Sequence, residues 1–292
     1  MALIAFDIGG TQIKYGLVER DGTVLSAALY DTPKYAGGEG LVAALIQLAH
    51  SLQQQQPVEG IAISSFGLID AENGVVLGAA EAVPGYTGTA VKAALQAALG
   101  LPVSIDNDVN CVALAEGWRG AAQQVRHYIA VAIGTGIGGG IVLNGQIYRG
   151  HRAAAGEWGY MWIDGLVWED HASMRGLVNA VNADLQTQLD GRDIFARYDA
   201  GDVAIVPHVE RWFGLLGKGL ANLIYAFNPQ RLVIGGGITA RGDAFHRQLQ
   251  AAVQAALQPD FQLMTELVLA SAGNHAGMIG AVRNWLDEHA RA

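Results

Sequence analysis

The stretch MALIAFDIGGTQIKYGLVERDG (1–22) opens with an apolar run, Leu3-Ile4-Ala5-Phe6, that stops at one acid, Asp7. Two glycines and a threonine follow. A second apolar stretch, Ile13 to Val18, then reaches the turn Arg20-Asp21-Gly22. The pattern recurs at AVAIGTGIGGGIVLNG (130–145). Each copy is an apolar strand, a Gly/Thr turn, a second apolar strand and a tight polar turn, Asp21-Gly22 in one and Asn144-Gly145 in the other. Such dipeptides tolerate positive φ and favour two-residue hairpins. A repeated hairpin implies two related halves, each starting with antiparallel strands.

Between and after the hairpins the pattern is that of an α/β protein. Leu41, Leu45, Leu48 and Leu52 mark a helix that ends near Pro57. GIAISSFG (60–67) reads as a strand entering a glycine turn, Val91 to Leu99 as a helix, LPVSIDND (101–108) as a strand and Val109 to Trp118 as a helix. Phe213 to Phe227 is a long apolar helix stopped by Asn228-Pro229. RLVIGGGI (231–238) is a strand, and a helix follows from about Asp243 to Leu257. Met278, Ile279, Val282, Trp285 and Leu286 stand at helical spacing in a last helix.

Composition sets bounds on partners. The chain has 292 residues, 51% hydrophobic and 15% charged, which is a packed globule with a substantial core. Its net charge of −9 argues against nucleic acid or an anionic membrane, since either wants a clustered basic face. The single cysteine, Cys111, allows no intrachain disulfide and no Cys-based zinc site, and reads as a small buried hydrophobe in a cytoplasmic setting. The start lacks a cationic segment ahead of its apolar run, so it is not read as a signal peptide. Residues 127–148 lack formal charge apart from the histidine, but their glycines with Thr135, Asn144 and Gln146 read as two strands and a turn.

Three strands run into glycine turns: DIGGT (7–11), IGTGIGGG (133–140) and IGGGI (234–238). Glycine lets backbone N–H groups approach a ligand, and rows of amides bind phosphate oxygens. Gly9, Gly10 and Thr11 are thus phosphate candidates, Asp7 a candidate for the accompanying Mg²⁺, and Lys14 a nearby positive charge. In SIDNDVNC, Asp106, Asn107 and Asp108 lie where a strand ends and a helix begins. There they serve as caps, or one carboxylate, held ionised by the helix terminus, takes a proton from a substrate hydroxyl. AAGEWGYM brings Glu157 and Tyr160 into a glycine-bearing loop where their polar ends suit a polyol, the bland alternatives being a surface acid and a core aromatic. Glu169, Asp170 and His171 alone read as a solvated acidic loop.

Taken together, these residues resemble the ROK family of sugar kinases and related repressors, over essentially the whole chain. DIGGTQIK is similar to the family's first phosphate motif, IDNDVNC to its catalytic segment, IGTGIGGGI to its second phosphate motif and AGEWGYM to its sugar-contacting loop. VIGGGI resembles the turn on the nucleotide side, and AGMIGAV the C-terminal helix. The resemblance implies the actin-like ATPase fold, α/β, with two lobes and a cleft between them: residues 1–118, joined by a helix at about 276–292, and residues 119–275. It implies that Asp108 is the base for a sugar 6-hydroxyl, and that Gly67, Asn107, Glu157, Tyr160 and Glu169 bind the sugar. Gly9, Gly10, Thr11, Lys14, Gly134, Thr135 and Gly136 would hold the phosphates of ATP, Gly235 and Gly236 would lie near its nucleoside, and Asp7 would serve Mg²⁺, directly or through water.

Departures from the family pattern narrow the expectation. The family commonly has His where Tyr160 stands and then a cysteine-rich zinc loop. Here the chain reads MWIDGLVWEDHAS (161–173), with no cysteine, so no zinc site is expected and something else must order that loop. Asp106 replaces a common Glu, and Phe66 a common Pro. These features and DIFARYDAGD (193–202) resemble the bacterial β-glucoside kinase branch, which phosphorylates O6 of the non-reducing glucose in disaccharides such as cellobiose. Glucose, fructose and N-acetylmannosamine are the alternative acceptors. A repressor would carry a helix-turn-helix segment ahead of the first motif, where only six residues stand. A non-catalytic sugar sensor is the alternative of another class. A homodimer is a family expectation.

Overall fold

The computed structural model describes residues 1–79 and 82–290. The first hairpin forms from β1 (Ala2–Ile8) and β2 (Gln12–Glu19), antiparallel, with Asp7 opposite Lys14. Leu3 to Phe6 and Ile8 are fully buried, because both faces of β1 are covered; hence the unbroken apolar run. β3 (Val24–Asp31) lies on the far side of β2. α1 (Gly37–Gln53) buries Leu41, Leu45 and Leu52 at the expected spacing. β4 (Val58–Ser65) is parallel to β1; a small antiparallel pair, β5 (Leu68–Asp70) and β6 (Val75–Gly78), and α2 (Val91–Leu99) follow. β7 (Val103–Asn107) is parallel to β4 and runs straight into α3 (Asp108–Arg119). The sheet order is β3-β2-β1-β4-β7.

The second copy comprises β8 (Tyr128–Ile133), β9 (Ile137–Leu143) and β10 (Gln146–Tyr148). After them come a short pair, β11 (Trp162–Ile163) and β12 (Leu166–Val167), then α4 (Trp168–Ala172), α5 (Met174–Leu185), α6 (Gly191–Asp199) and α7 (Val206–Phe227). β13 (Arg231–Gly235), α8 (Asp243–Ala256), β14 (Glu266–Leu269) and α9 (Ala276–His289) complete the chain. The second sheet runs β10-β9-β8-β13-β14, with β13 parallel to both neighbours. The two orders are one arrangement used twice, so the duplication seen in two hairpins extends to two whole sheets. No described helix is long and apolar enough to cross a membrane.

The two polar turns differ from each other. Asn144 (φ 55°) and Gly145 (φ 78°) form the expected two-residue turn, with Leu143 opposite Gln146. Asp21-Gly22 does not. β2 ends at Glu19, whose N–H bonds the carbonyl of Thr23, and the register slips between Leu17 and Val18. The cause is Asp21 itself: its Oδ1 accepts the Thr23 N–H at 2.8 Å, a side-chain bond that favours a wider loop. That bond also holds the Asp21 carboxyl below the usual range.

The chain divides into two compact units, Met1–Gln124 with Gly140–Ala155 and Ser271–Ala292, and Val125–Gly139 with Gly156–Ala270. Residues 140–155, assigned to the second half on sequence, cluster with the first unit. Gly140 lies so close to α3 that an added Cβ would be 2.8 Å from that of Ala113. In the same unit α9 packs on α3, β1, β4 and β7, burying Met278, Ala281, Val282 and Trp285. The sequence expectation carried this helix to 292; residues 291 and 292 lie outside the described residues.

Candidate active site

Three consecutive residues at the β7–α3 junction do three different things. Asp106 is fully buried. Its Oδ2 accepts from Arg149 Nε at 2.9 Å and Nη2 at 2.6 Å, and its Oδ1 from the Asn107 N–H at 2.8 Å and Asn110 Nδ2 at 3.0 Å. Asn107 is the cap of α3: its Oδ1 accepts the N–H groups of Val109 (2.9 Å) and Asn110 (3.2 Å). Its Nδ2 donates to the carbonyl of Gly67 at 2.9 Å, which brings those two predicted residues together. Asp108 is the first residue of the helix, half-buried, with Oδ1 2.9 Å from its neighbour's N–H, that of Val109. Cys111, one turn on, is buried as expected, and burial together with the Asp106 charge pushes its thiol well up.

Asp7 belongs to the same edge of the same sheet. β1, β4 and β7 run parallel, and Asp7, Ser64 and Asp106 are in register across them. Parallel strands present ligand sites at their carboxyl ends. Asp7 Oδ1 accepts from Ser64 Oγ at 2.8 Å, and Oδ2 stands 3.6 Å from Lys14 Nζ, which also donates to the carbonyl of Asn274 at 2.9 Å. In the following turn the Gly9 N–H is committed to the Gln12 carbonyl at 3.0 Å. Thr32 braces the turn through Oγ1 to the Gly9 carbonyl (2.7 Å) and N–H to the Thr11 carbonyl (2.9 Å). Among the described residues no cluster of three or more His, Cys, Asp or Glu side chains has metal-binding geometry. One carboxylate fits Mg²⁺ all the same, because that ion keeps several waters and takes its other ligands from substrate phosphates.

The second unit holds the other predicted residues. The Gly134 N–H donates to the Gly136 carbonyl at 3.0 Å, and the Gly134 carbonyl accepts the Met174 N–H at 2.9 Å; Thr135 is exposed. Glu169 comes to this turn from α4: its Oε2 accepts the Ile137 N–H at 3.2 Å, and a Cβ on Gly136 would lie 2.5 Å from it. Glu157 and Tyr160 share this surroundings. Glu157 is exposed, as the surface-acid alternative has it, yet partial loss of water and then the Glu169 charge raise its carboxyl above the ordinary glutamate value. Tyr160 is 66% exposed, which excludes the core-aromatic reading; desolvation and then Glu169 and Glu157 raise its hydroxyl. Gly236, at the end of β13, has φ +103°, and a Cβ there would fall 2.1 Å from the Ile133 carbonyl, so only glycine lets the β8 and β13 ends approach.

Tryptophan orders the segment where a zinc loop was missing. β11 and β12 pair around Asp164-Gly165, and Lys218 forms an ion pair with Asp164. Trp168 is almost wholly buried, its ring lying over Gly219 and its Nε1 donating to the Leu215 carbonyl at 2.9 Å. The acidic triplet is therefore helical and anchored by α7, not a loose loop. Arg149, Ser64 and Thr32 went unnoticed in the sequence. None belongs to a motif, and each acts on a residue far from it along the chain.

Two sheets of one topology, each with a glycine turn after its central strand, define the actin-like ATPase class of α/β protein. The chain belongs to the ROK family: residues 3–288 match the family model. Among curated relatives it is 38% identical to a beta-glucoside kinase of Klebsiella pneumoniae, over 97% of this chain and 95% of that one. A ROK family protein from Streptococcus pneumoniae, solved with sucrose, superposes with a TM-score of 0.88 at 32% identity, covering 100% of both chains. A ROK family glucokinase from Streptomyces griseus, solved with glucose and AMPPNP, gives 0.80 at 28% identity, covering 97% of this chain and 98% of that one.

Proposed function

We propose that this protein is an ATP-dependent sugar kinase that phosphorylates the 6-hydroxyl of a glucose unit, with a β-glucoside such as cellobiose as acceptor. The observation that carries the reading is the near full-length similarity to the Klebsiella enzyme. The relatives crystallised with glucose and AMPPNP, and with sucrose, support a nucleotide and a sugar as the substrates. In this reading Asp108 accepts the proton of the hydroxyl as its oxygen bonds to the γ-phosphorus and ADP leaves with the electrons of the broken P–O bond. Gly10, Thr11, Thr135 and Gly136 hold phosphate oxygens, Gly9 and Gly134 shape the two turns through their internal N–H bonds, and Gly235 and Gly236 flank the nucleoside. Asn107, Gly67, Glu157, Tyr160 and Glu169 orient the acceptor. Asp7 is the residue to hold Mg²⁺, which when bound neutralises phosphate charge.

The test is ADP release across monosaccharides and β-linked disaccharides, with the phosphorylated position read by NMR. Cellobiose turning over with a higher kcat/KM than glucose, and phosphate on O6 of its non-reducing ring, is the expected result. Preference for glucose, fructose or N-acetylmannosamine moves the acceptor assignment, and no ADP with any sugar favours the non-catalytic sensor. Asp108→Asn lowers kcat by about 10² to 10⁴ with the fold retained. Near-normal turnover in that variant removes Asp108 from the mechanism.

A further inference from the structure

The Asp106 carboxylate accepts four hydrogen bonds, two of them from Arg149, and is fully buried. A carboxylate in such a place is costly unless a cation and further donors satisfy it. The Arg149 Nη2 also donates to Asn284 Oδ1 on α9 at 2.7 Å. One guanidinium thus joins the end of β10, the β7–α3 junction and the C-terminal helix, all within the first unit. Its side chain is 30% exposed and lies in the wall of a cavity of about 480 Å³ shared with Glu72, Gln146, Arg283 and Asp287.

We propose that Arg149 is a positioning residue for Asp108, acting through Asp106; the catalytic part rests on the reading of Asp108 as base. Asp106 holds the Asn107 N–H and the Asn110 amide, and these two residues set the cap that starts the helix at Asp108. Without Arg149 the buried carboxylate is left uncompensated, and it draws in water or turns away. Each response loosens the cap and shifts the first turn of α3. A misplacement of about 1 Å at a reacting group can cost on the order of 10²-fold in rate. Lysine does not substitute, because an ammonium cannot make the two parallel bonds of the guanidinium.

Two readouts test this. Hydrogen exchange at the amides of Asn107, Val109 and Asn110 is expected to speed up at least about tenfold in Arg149→Ala and Arg149→Lys, with the amides of α1 unchanged. In kinetics, both variants lose about 10- to 100-fold in kcat while KM for ATP stays within about twofold. Millimolar guanidinium ion, entering by the cavity, restores part of both in Arg149→Ala and changes nothing in the wild type. If Arg149→Ala does not fold, Arg149→Lys keeps the charge and carries the same comparison. Unchanged exchange at 107–110 overturns the clamp whatever the activity. Lost protection with intact kcat, in an enzyme that Asp108→Asn inactivates, overturns the positioning role alone. Full turnover in Asp108→Asn sinks the base assignment instead, and exchange still decides the clamp.

Discussion

The two glycine turns start from matching letters, AFDIGGT (5–11) and AVAIGTG (130–136), and differ in how they acquire an acid. In the first, the acid is Asp7, built into the strand and braced by Ser64 and Lys14. Its counterpart in the second is Ala132. The acid there is Glu169, brought by α4 from 32 positions beyond Ile137, whose N–H it accepts. Duplication supplied the backbone twice, and charge was added to each copy by different means. A strand residue sits at a fixed height on the sheet edge, which suits the ion-holding role proposed for Asp7. A helix residue depends on what anchors the helix, here Trp168 on α7.

That contrast can be broken by experiment. Asp7→Ala should have the largest effect: kcat falls by about 10²-fold or more, and the magnesium concentration for half-maximal rate rises. A magnesium titration of both proteins checks it, and an unchanged requirement places the ion elsewhere. Glu169→Gln keeps an acceptor for the Ile137 N–H but removes the charge. It should raise the acceptor KM by less than about tenfold and leave kcat nearly alone, as expected of a group that binds without distinguishing the transition state. A loss as deep as that of Asp7→Ala makes the two turns equivalent after all.

Glu157→Gln should change stability least. The folded-state carboxyl titrates above its ordinary value, so folding favours the protonated form. Stability from this group is therefore full below the ordinary glutamate value and declines as pH rises through the raised one. Glutamine removes the decline: melting temperatures should match in acid, and at neutral pH the variant should melt higher, by no more than about 2 °C. Weaker acceptor binding accompanies the gain. A variant that melts lower at neutral pH contradicts the raised carboxyl of Glu157, and with it the desolvation and the Glu169 charge that cause it.

Much of this was legible in the sequence where chemistry is local. DIGGT after an apolar run announces strand, turn and strand, and Asp-Asn-Asp between strand and helix patterns announces a cap. The burial of Asp106 was not legible, because it depends on Arg149, which stands alone after a short strand with no periodicity around it. Glu169 read as part of a solvated loop for the same reason: its partner lies 32 residues away. At Asp21-Gly22 the local signal itself misled, since the aspartate bonds the backbone two residues on and widens the turn.

The helix that finishes the first unit follows the second unit in the chain. α9 fills the face of β1, β4 and β7 and supplies Asn284 to Arg149, yet residues 125–275, mostly the other unit, are translated before it. At elongation rates of about 5–20 residues per second that interval lasts roughly 8 to 30 s. Until α9 is made, the apolar surface that Met278, Val282 and Trp285 cover has no partner from this helix, so the first unit can close its core only after the second has been synthesised.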